Sequence, residues 1–308
     1  MKILRQSWLI LAALVLMTAC HGDDPDVVNL AANISDGEAL TRAAGTDAQL
    51  QVKQFLPSLA IRVECYDHTT AAVYDNSTGI YTTTDTQGAA EGTIALSGTI
   101  YYPPETHNVD ICAYYPATVT SSTTLFPATG NITSQTALSA YQGFDLMYAD
   151  RLSDRQRGQT HQLTFHHALS QVIVNLSPGT GVSADDITAN VSAVKVCNTV
   201  PVAALSISAG AITASPKDGT AVADINILGT GSSNVGLVVP QTVAAETAFI
   251  TVTYAGIDYT YALPAAMTFA PGYKYTYNFT MNATSLVLQS QQITPWTTGT
   301  GGSASVIL

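Results

Sequence analysis

The chain has 308 residues, enough for two domains of ordinary size that each bury a core. Its formal net charge of −11 excludes nucleic acid as an expected partner, because a phosphate backbone calls for a basic protein surface. Only 11% of the residues are charged, while threonine, serine, alanine, valine and tyrosine abound. This composition favours β-sheets whose outer faces are polar but uncharged.

The start of the chain has the pattern of a secretory signal. Lys2 and Arg5 precede a short apolar stretch that is too short to span a bilayer. Residues 16–20 resemble the lipobox of bacterial lipoproteins, which implies removal of residues 1–19, acylation of Cys20 and attachment to the outer membrane. Met17 stands where that motif usually has leucine, so cleavage without a lipid stays open.

The segment at residues 20–42 is interpreted as a tether followed by a removable first strand. Within residues 27–34, apolar side chains recur at every second position: Val28, Leu30, Ala32 and Ile34. Alternation with period two predicts a strand with one face on a core. A charged turn ends the pattern, and an exposed loop carrying Arg42 follows.

Short strands with turn signals between them are predicted along the rest of the chain. In the first half they fall at residues 59–65, 80–84, 93–101, 109–115 and 144–149. In the second half they fall at 161–167, 168–176, 193–197, 203–208, 223–227, 235–239, 249–254, 259–263, 273–281 and 286–291. Residues 43–157 and 158–308 are therefore predicted to form two antiparallel sandwiches. The charge-dense residues 151–158 are interpreted as a solvated connection, and helical periodicity is weak throughout.

Residues that often carry chemistry are present but not grouped in a catalytic or metal-binding pattern. The sparse cysteines Cys65, Cys112 and Cys197 are interpreted as buried thiols, with a bridge between the first two left open. On one strand His161 lies about 20 Å from His167, so the histidines there are not expected to converge on a metal. No GxSxG, HExxH, Walker or GxGxxG motif occurs. We therefore expect neither an enzyme nor a cofactor.

Several segments resemble the fimbrillin family of type V pilins and fimbrillin-like surface lipoproteins. They are residues 110–116, 145–149, 163–170, 239–242, 271–277 and 293–296. The resemblance implies two transthyretin-like β-sandwich domains, an acylated precursor and assembly with other pilin subunits in a fimbrium on the outer membrane. In such pilins an arginine-specific protease removes the first strand, and the strand of a neighbouring subunit replaces it. Here that cut would fall between Arg42 and Ala43.

The end of the sequence offers a donor strand for this exchange. After a glycine-rich segment, apolar residues again occupy alternate positions: Ala304, Val306 and Leu308. An ordinary last strand in the chain's own sheet is the alternative.

Two functional hypotheses follow from these features. The first is a structural or adhesive fimbrial subunit. The second is a monomeric surface lipoprotein that binds glycans through exposed aromatic side chains. Tyr273, Tyr275 and Tyr277 share one face of a predicted strand, where they either pack on the sheet or form a platform for sugars.

Overall fold

The structure, a computed structural model, describes residues 26–34, 55, 58–84, 94–104 and 106–296, with the backbone of Ala304–Val306. The first nine strands are β1 Asn29–Ile34, β2 Ala60–Asp67, β3 Thr78–Thr84, β4 Ile94–Ser97, β5 Val109–Tyr115, β6 Leu125–Phe126, β7 Met147–Ala149, β8 Leu152–Arg155 and β9 Thr160–His167. The helix α1, Leu138–Phe144, lies between β6 and β7.

The later strands are β10 Ser170–Pro178, β11 Val191–Thr199, β12 Ala203–Ser208, β13 Ala211–Pro216, β14 Ala223–Asn226, β15 Ser233–Val238, β16 Gln241–Val243, β17 Ala248–Tyr254, β18 Ile257–Ala262, β19 Met267–Phe269, β20 Tyr273–Asn282, β21 Ser285–Pro295 and β22 Ala304–Val306. The helix α2, Ala184–Asn190, lies between β10 and β11. The prediction of an all-β chain is confirmed.

Seven strands of the first half form a closed ring. They pair in the order β2-β3-β4-β1-β9-β7-β5, and β5 pairs again with β2, while β8 pairs with β5. Closure removes free sheet edges, so β1 is an interior strand with a partner on each side. It runs antiparallel to β4 and parallel to β9.

The second half contains four smaller sheets. They are a five-stranded sheet, β15-β10-β20-β21-β22, a four-stranded sheet, β14-β11-β17-β18, a three-stranded sheet, β13-β12-β6, and the pair β16-β19. In the largest, β10 and β20 run parallel. The expectation of purely antiparallel sheets is therefore wrong at two pairs, β1–β9 and β10–β20. In each of these pairs the two strands are distant in sequence and are not joined by a hairpin, so antiparallel pairing is not imposed.

The two halves exchange elements near their junction. β9 was expected in the second half, from residue 158 onwards, but it pairs with β1 and β7 of the ring because Leu163 and Phe165 belong to the first core. The chain leaves the ring only after His167. In the opposite sense, β6 lies between β5 and β7 in the sequence but pairs with β12 of the second half. The division of the chain into two sandwich domains stays a prediction.

Two hydrophobic cores share β5, whose seven residues are all buried. Its odd positions, including Ile111, face the first core, and its even positions, Cys112 and Tyr114, face the second. Cys65 lies in the first core, so Cys65 and Cys112 occupy opposite sides and both thiols are free. Burial raises the pKa of Cys65 to about 12 and that of Cys112 to about 11. Both therefore stay protonated at neutral pH.

Candidate strand-exchange site

The four alternating apolar side chains of the first segment all lie in the first core. Their exposed fractions are 0% for Val28, 3% for Leu30, 0% for Ala32 and 3% for Ile34. The intervening residues of β1 are half-buried on the other face. β1 thus buries one face while both of its edges pair with neighbouring strands.

Ala32 has the smallest of the four inward side chains of this segment. This residue lies directly opposite Ile94 on β4 and Leu163 on β9, both buried in the same core. At the preceding inward position, Leu30 lies opposite Leu96 and His161. A methyl side chain therefore fits between two large aliphatic residues at one position, while its neighbour accepts a full leucine.

A buried tyrosine holds the start of the strand. The Tyr81 hydroxyl donates to the Val28 carbonyl at 2.7 Å and accepts from the Ile100 backbone N–H at 3.1 Å. A Cβ atom placed on Gly98 would lie 2.6 Å from the Tyr81 ring, so only glycine allows this close approach. The backbone N–H of Val28 completes the contact by donating to the Ile100 carbonyl at 2.8 Å.

A second contact at this end of β1 comes from Arg157. Its guanidinium donates to the Asp26 carboxylate and to the Pro103 carbonyl, and it lies 5.1 Å from the centre of the Tyr102 ring. Tyr102 also hydrogen-bonds His161 Nε2 at 2.8 Å, and burial lowers the pKa of that histidine. Residues 151–158 are exposed or half-buried, as expected of a solvated segment. They are not an unstructured connection, because they contain β8 and Arg157 binds the segment before β1.

The profile of the fimbrillin-like family matches residues 41–296. The chain belongs to the fimbrillin-like family. No curated protein matches the sequence significantly. Membership supports a structural, non-enzymatic role as a fimbrial adhesive subunit at the cell surface.

Two solved structures of cell adhesion proteins share the fold of this chain. A candidate cell adhesion protein from Bacteroides uniformis superimposes with a TM-score of 0.66 at 21% identity, over 88% of this chain and 98% of the other. One from Bacteroides ovatus gives 0.62 at 15% identity, over 89% and 98%. The tip fimbrial protein Mfa3 from Porphyromonas gingivalis, with a C-terminal truncation, gives 0.45 at 11% identity, over 87% and 99%.

The remaining positions of the predicted exchange site lie mostly outside the described residues of this fimbrillin-like chain. Cys20, Arg42, Ala43 and Leu308 belong to that group. The backbone of the predicted donor is described, and β22 pairs antiparallel with β21 at the edge of the five-stranded sheet. This is the arrangement of an ordinary last strand, and the donor role of Ala304, Val306 and Leu308 stays a prediction.

The histidines of the fimbrillin-like chain have mainly carboxylate partners. His166 Nε2 lies 2.9 Å from Asp150, and His167 Nδ1 lies 2.7 Å from Asp145. Among the described residues no three acidic, histidine or cysteine side chains are grouped to hold a metal. None of the described helices is long and apolar enough to cross a membrane.

The tyrosine-rich strand packs for most of its length. Tyr275 and Tyr277 are buried in the second core, whereas Tyr273 is 39% exposed at the start of β20. Tyr275 and Tyr277 therefore pack on the sheet, whereas Tyr273 is accessible to solvent.

Proposed function

We propose that this fimbrillin-like chain is a fimbrial subunit exported as a lipoprotein, acylated at Cys20, and assembled by strand exchange. An arginine-specific protease cuts between Arg42 and Ala43, the segment containing β1 leaves, and a strand of another subunit takes its seat. The observation that supports this most is the position of β1. It is a six-residue interior strand of a closed ring, near the start of the chain, with every inward side chain buried.

Loss of β1 would remove buried apolar contacts and strand hydrogen bonds, and a new strand in the same position can restore them. Burial of Val28, Leu30 and Ile34 is worth about 1.5–3 kcal/mol each, so roughly 5–9 kcal/mol depends on a strand occupying this position. The ladder partners of β1 on β4 and β9 would also lose their hydrogen bonds. An added strand restores both contributions. A head-to-tail contact of this kind propagates into a filament, whereas a symmetric contact closes into a dimer.

The small side chain of Ala32, which lies opposite Ile94 and Leu163, suggests how the donor enters. Among the alternate residues of the tail, only Ala304 matches the small seat. If Ala304 takes that seat antiparallel to β1, Val306 reaches the seat of Leu30 and Leu308 that of Val28. In the parallel direction Leu308 would lie beyond the seat of Ile34. The antiparallel register therefore fills three inward positions: alanine matches alanine at residue 32, valine is smaller than Leu30, and leucine exceeds Val28 by one carbon.

In this proposal the two halves of the chain are two transthyretin-like sandwich domains. The presence of two cores supports this division, with the ring as the receiving domain and the five-stranded sheet, which ends in β22, as the donating one.

Proteolysis of a purified chain that begins at residue 21 tests the proposal. An arginine-specific protease should cut at residue 42, and gels run without heating should then show a ladder of oligomers. The control variant Arg42→Lys keeps the positive charge but removes the cut, so it should remain monomeric. A correctly cut chain that stays monomeric would contradict strand exchange and favour the hypothesis of a monomeric surface lipoprotein.

A further inference from the structure

A cavity of about 250 Å³ lies where the two halves meet. The ring contributes residues of β7 and β9 to its lining, and the second half contributes the start of β20 and the end of β21. Drug-sized ligands occupy pockets of about 300–1,000 Å³, so this cavity has room for one small ring.

The rim of the cavity is aromatic and accessible. Tyr148 and His166 have ring centres 5.7 Å apart, and both side chains are half-buried. Tyr273 stands at the rim, 39% exposed, and the rings of Pro271 and Pro295 extend the apolar lining. Such flat apolar groups pack against the apolar face of another ring.

Two residues of the lining, His167 and Trp296, each have a buried ring nitrogen without a hydrogen-bond partner. The rings of His167 and Trp296 stack with centres 3.7 Å apart and planes 5° apart. His167 Nδ1 is engaged by the Asp145 carboxylate, so its second ring nitrogen, Nε2, is unpaired, as is Trp296 Nε1. A buried polar atom left unpaired is unfavourable, because it has lost its hydrogen bonds to water and gained none in the protein.

The chemistry of these nitrogens restricts the class of ligand. In the neutral tautomer that carries its proton on Nδ1, His167 Nε2 accepts a hydrogen bond, whereas in the imidazolium form it donates one; the indole N–H of Trp296 only donates. A hydroxyl group both donates and accepts, so a polyol satisfies both atoms. An ammonium group has no acceptor for the indole N–H. An anion would meet the carboxylates of Asp145 and Asp150, which lie next to the two histidines.

We propose that this cavity binds one ring of a neutral saccharide. The apolar face of the sugar packs on Tyr273 and Tyr148, and its hydroxyl groups pair with His167 Nε2 and Trp296 Nε1. Both nitrogens are shielded from solvent, so binding requires a rim side chain to turn aside, and the exposed Tyr273 has the freedom to do so. The inference names a ligand for the adhesive role and does not depend on strand exchange.

Titration of the uncut chain from residue 21 onwards tests this inference. The probes are methyl glycosides of neutral hexoses and N-acetylhexosamines, with glucosamine and a sialic acid as charged comparisons. Trp296 is the only tryptophan after Trp8, so its fluorescence reports the cavity directly. We expect at least one neutral glycoside to change this emission saturably, with a stronger effect than either charged sugar. No saturable change up to about 100 mM of any glycoside would overturn the proposal.

Variants measured by calorimetry locate the site. Trp296→Phe keeps a stacked ring but removes the N–H, and Tyr273→Ala removes the rim ring; each should weaken binding by about tenfold or more. Tyr101→Ala is the matched control, because Tyr101 is 40% exposed but lies outside the cavity. Tyr273 is exposed, so its variant should fold even if Trp296→Phe does not. Glycoside binding that Tyr273→Ala leaves unchanged would overturn the proposal. The uncut monomer is used throughout, so this outcome is independent of polymer formation.

Discussion

Histidine–aspartate pairs are the recurrent polar contact between neighbouring segments of the ring. His68 Nδ1 lies 2.9 Å from Asp110, which also accepts from Arg151 at 2.7 Å and from the backbone N–H of Asp154 at 2.8 Å. Burial alone would raise the pKa of Asp110, but these three hydrogen bonds together lower it. The Asp110 carboxylate therefore connects β5 to the loop after β2 and to the segment around β8.

The His68–Asp110 pair predicts a measurable pH dependence. The hydrogen bond to Asp110 raises the pKa of His68 above its ordinary value of 6.5, so the folded state binds the proton more tightly than the unfolded state. The contribution of this pair to stability is fully present below about pH 6.5 and is lost as pH rises through the folded pKa. The free energy of unfolding of His68→Gln, measured with denaturant, should accordingly fall less between pH 6 and pH 8 than that of the native chain. Parallel curves for the two proteins would contradict this assignment.

At the residue scale, sequence periodicity predicted which side chains of β1 face inward but not what holds them. The inward set needs only the period of a strand, since alternate residues share a face. Arg157 and Asp26 are 131 positions apart, and Tyr81 lies 53 positions from Val28. Contacts at such separations depend on the order of strands in the ring, which no local pattern carries.

At the scale of one element, the burial of Ala32 between Ile94 and Leu163 predicts the effect of a larger side chain on β1. Ala32→Leu places three extra carbons between Ile94 and Leu163 and should lower the free energy of unfolding by about 1–3 kcal/mol. Ala31→Leu adds the same bulk on the half-buried outer face and should change it by less than about 0.5 kcal/mol. Urea unfolding of both variants measures the difference. Equal effects would show that the two faces of β1 are packed alike.

The donor register predicts a separate effect on polymer formation. If Ala304 enters the seat of Ala32, Ala304→Leu should block the ladder that follows cleavage at Arg42, because a leucine does not fit there. Ser305→Leu places the same side chain on the opposite face of the strand and should leave the ladder intact. Thermal unfolding of both uncut variants checks that β22 is not itself destabilised. Polymers of unchanged length from Ala304→Leu would exclude this register.

Element boundaries were predictable where apolar alternation was strong and turn residues flanked it. β5 and β12 begin and end at the predicted residues. Most of the strands that were missed are short or polar: β6 has two residues, β16 and β19 have three each, and two of the four residues of β8 are charged. The exception is β13, a six-residue strand with alternating buried residues. α2 did have a signal, since Ser183 and Asp186 form a capping box with reciprocal hydrogen bonds.

At the scale of the whole molecule, the ring closure and the shared strand were not predictable from local sequence. Closure depends on β5 pairing with both β2 and β7, which are separated by most of the first half. The burial of both faces of β5 had a weak signal, because its run of seven residues is apolar except for Asp110. That run indicates a strand covered on both sides, but it does not identify the second half as the cover.

The shared strand predicts that the two cores unfold together. If the ring opened and β5 moved away, Ile111 would leave the first core and Tyr114 would leave the second. Displacement of β5 therefore destabilises both halves. Ile61→Ala, in the first core but not on β5, should lower stability by about 2–5 kcal/mol. Trp296 in the second core should then report the same shifted midpoint as circular dichroism of the whole chain. Ile257→Ala, at a 57% exposed position, serves as the control and should shift neither signal. A fluorescence midpoint that stays in place while the circular dichroism splits into two steps would show that the halves unfold independently despite β5.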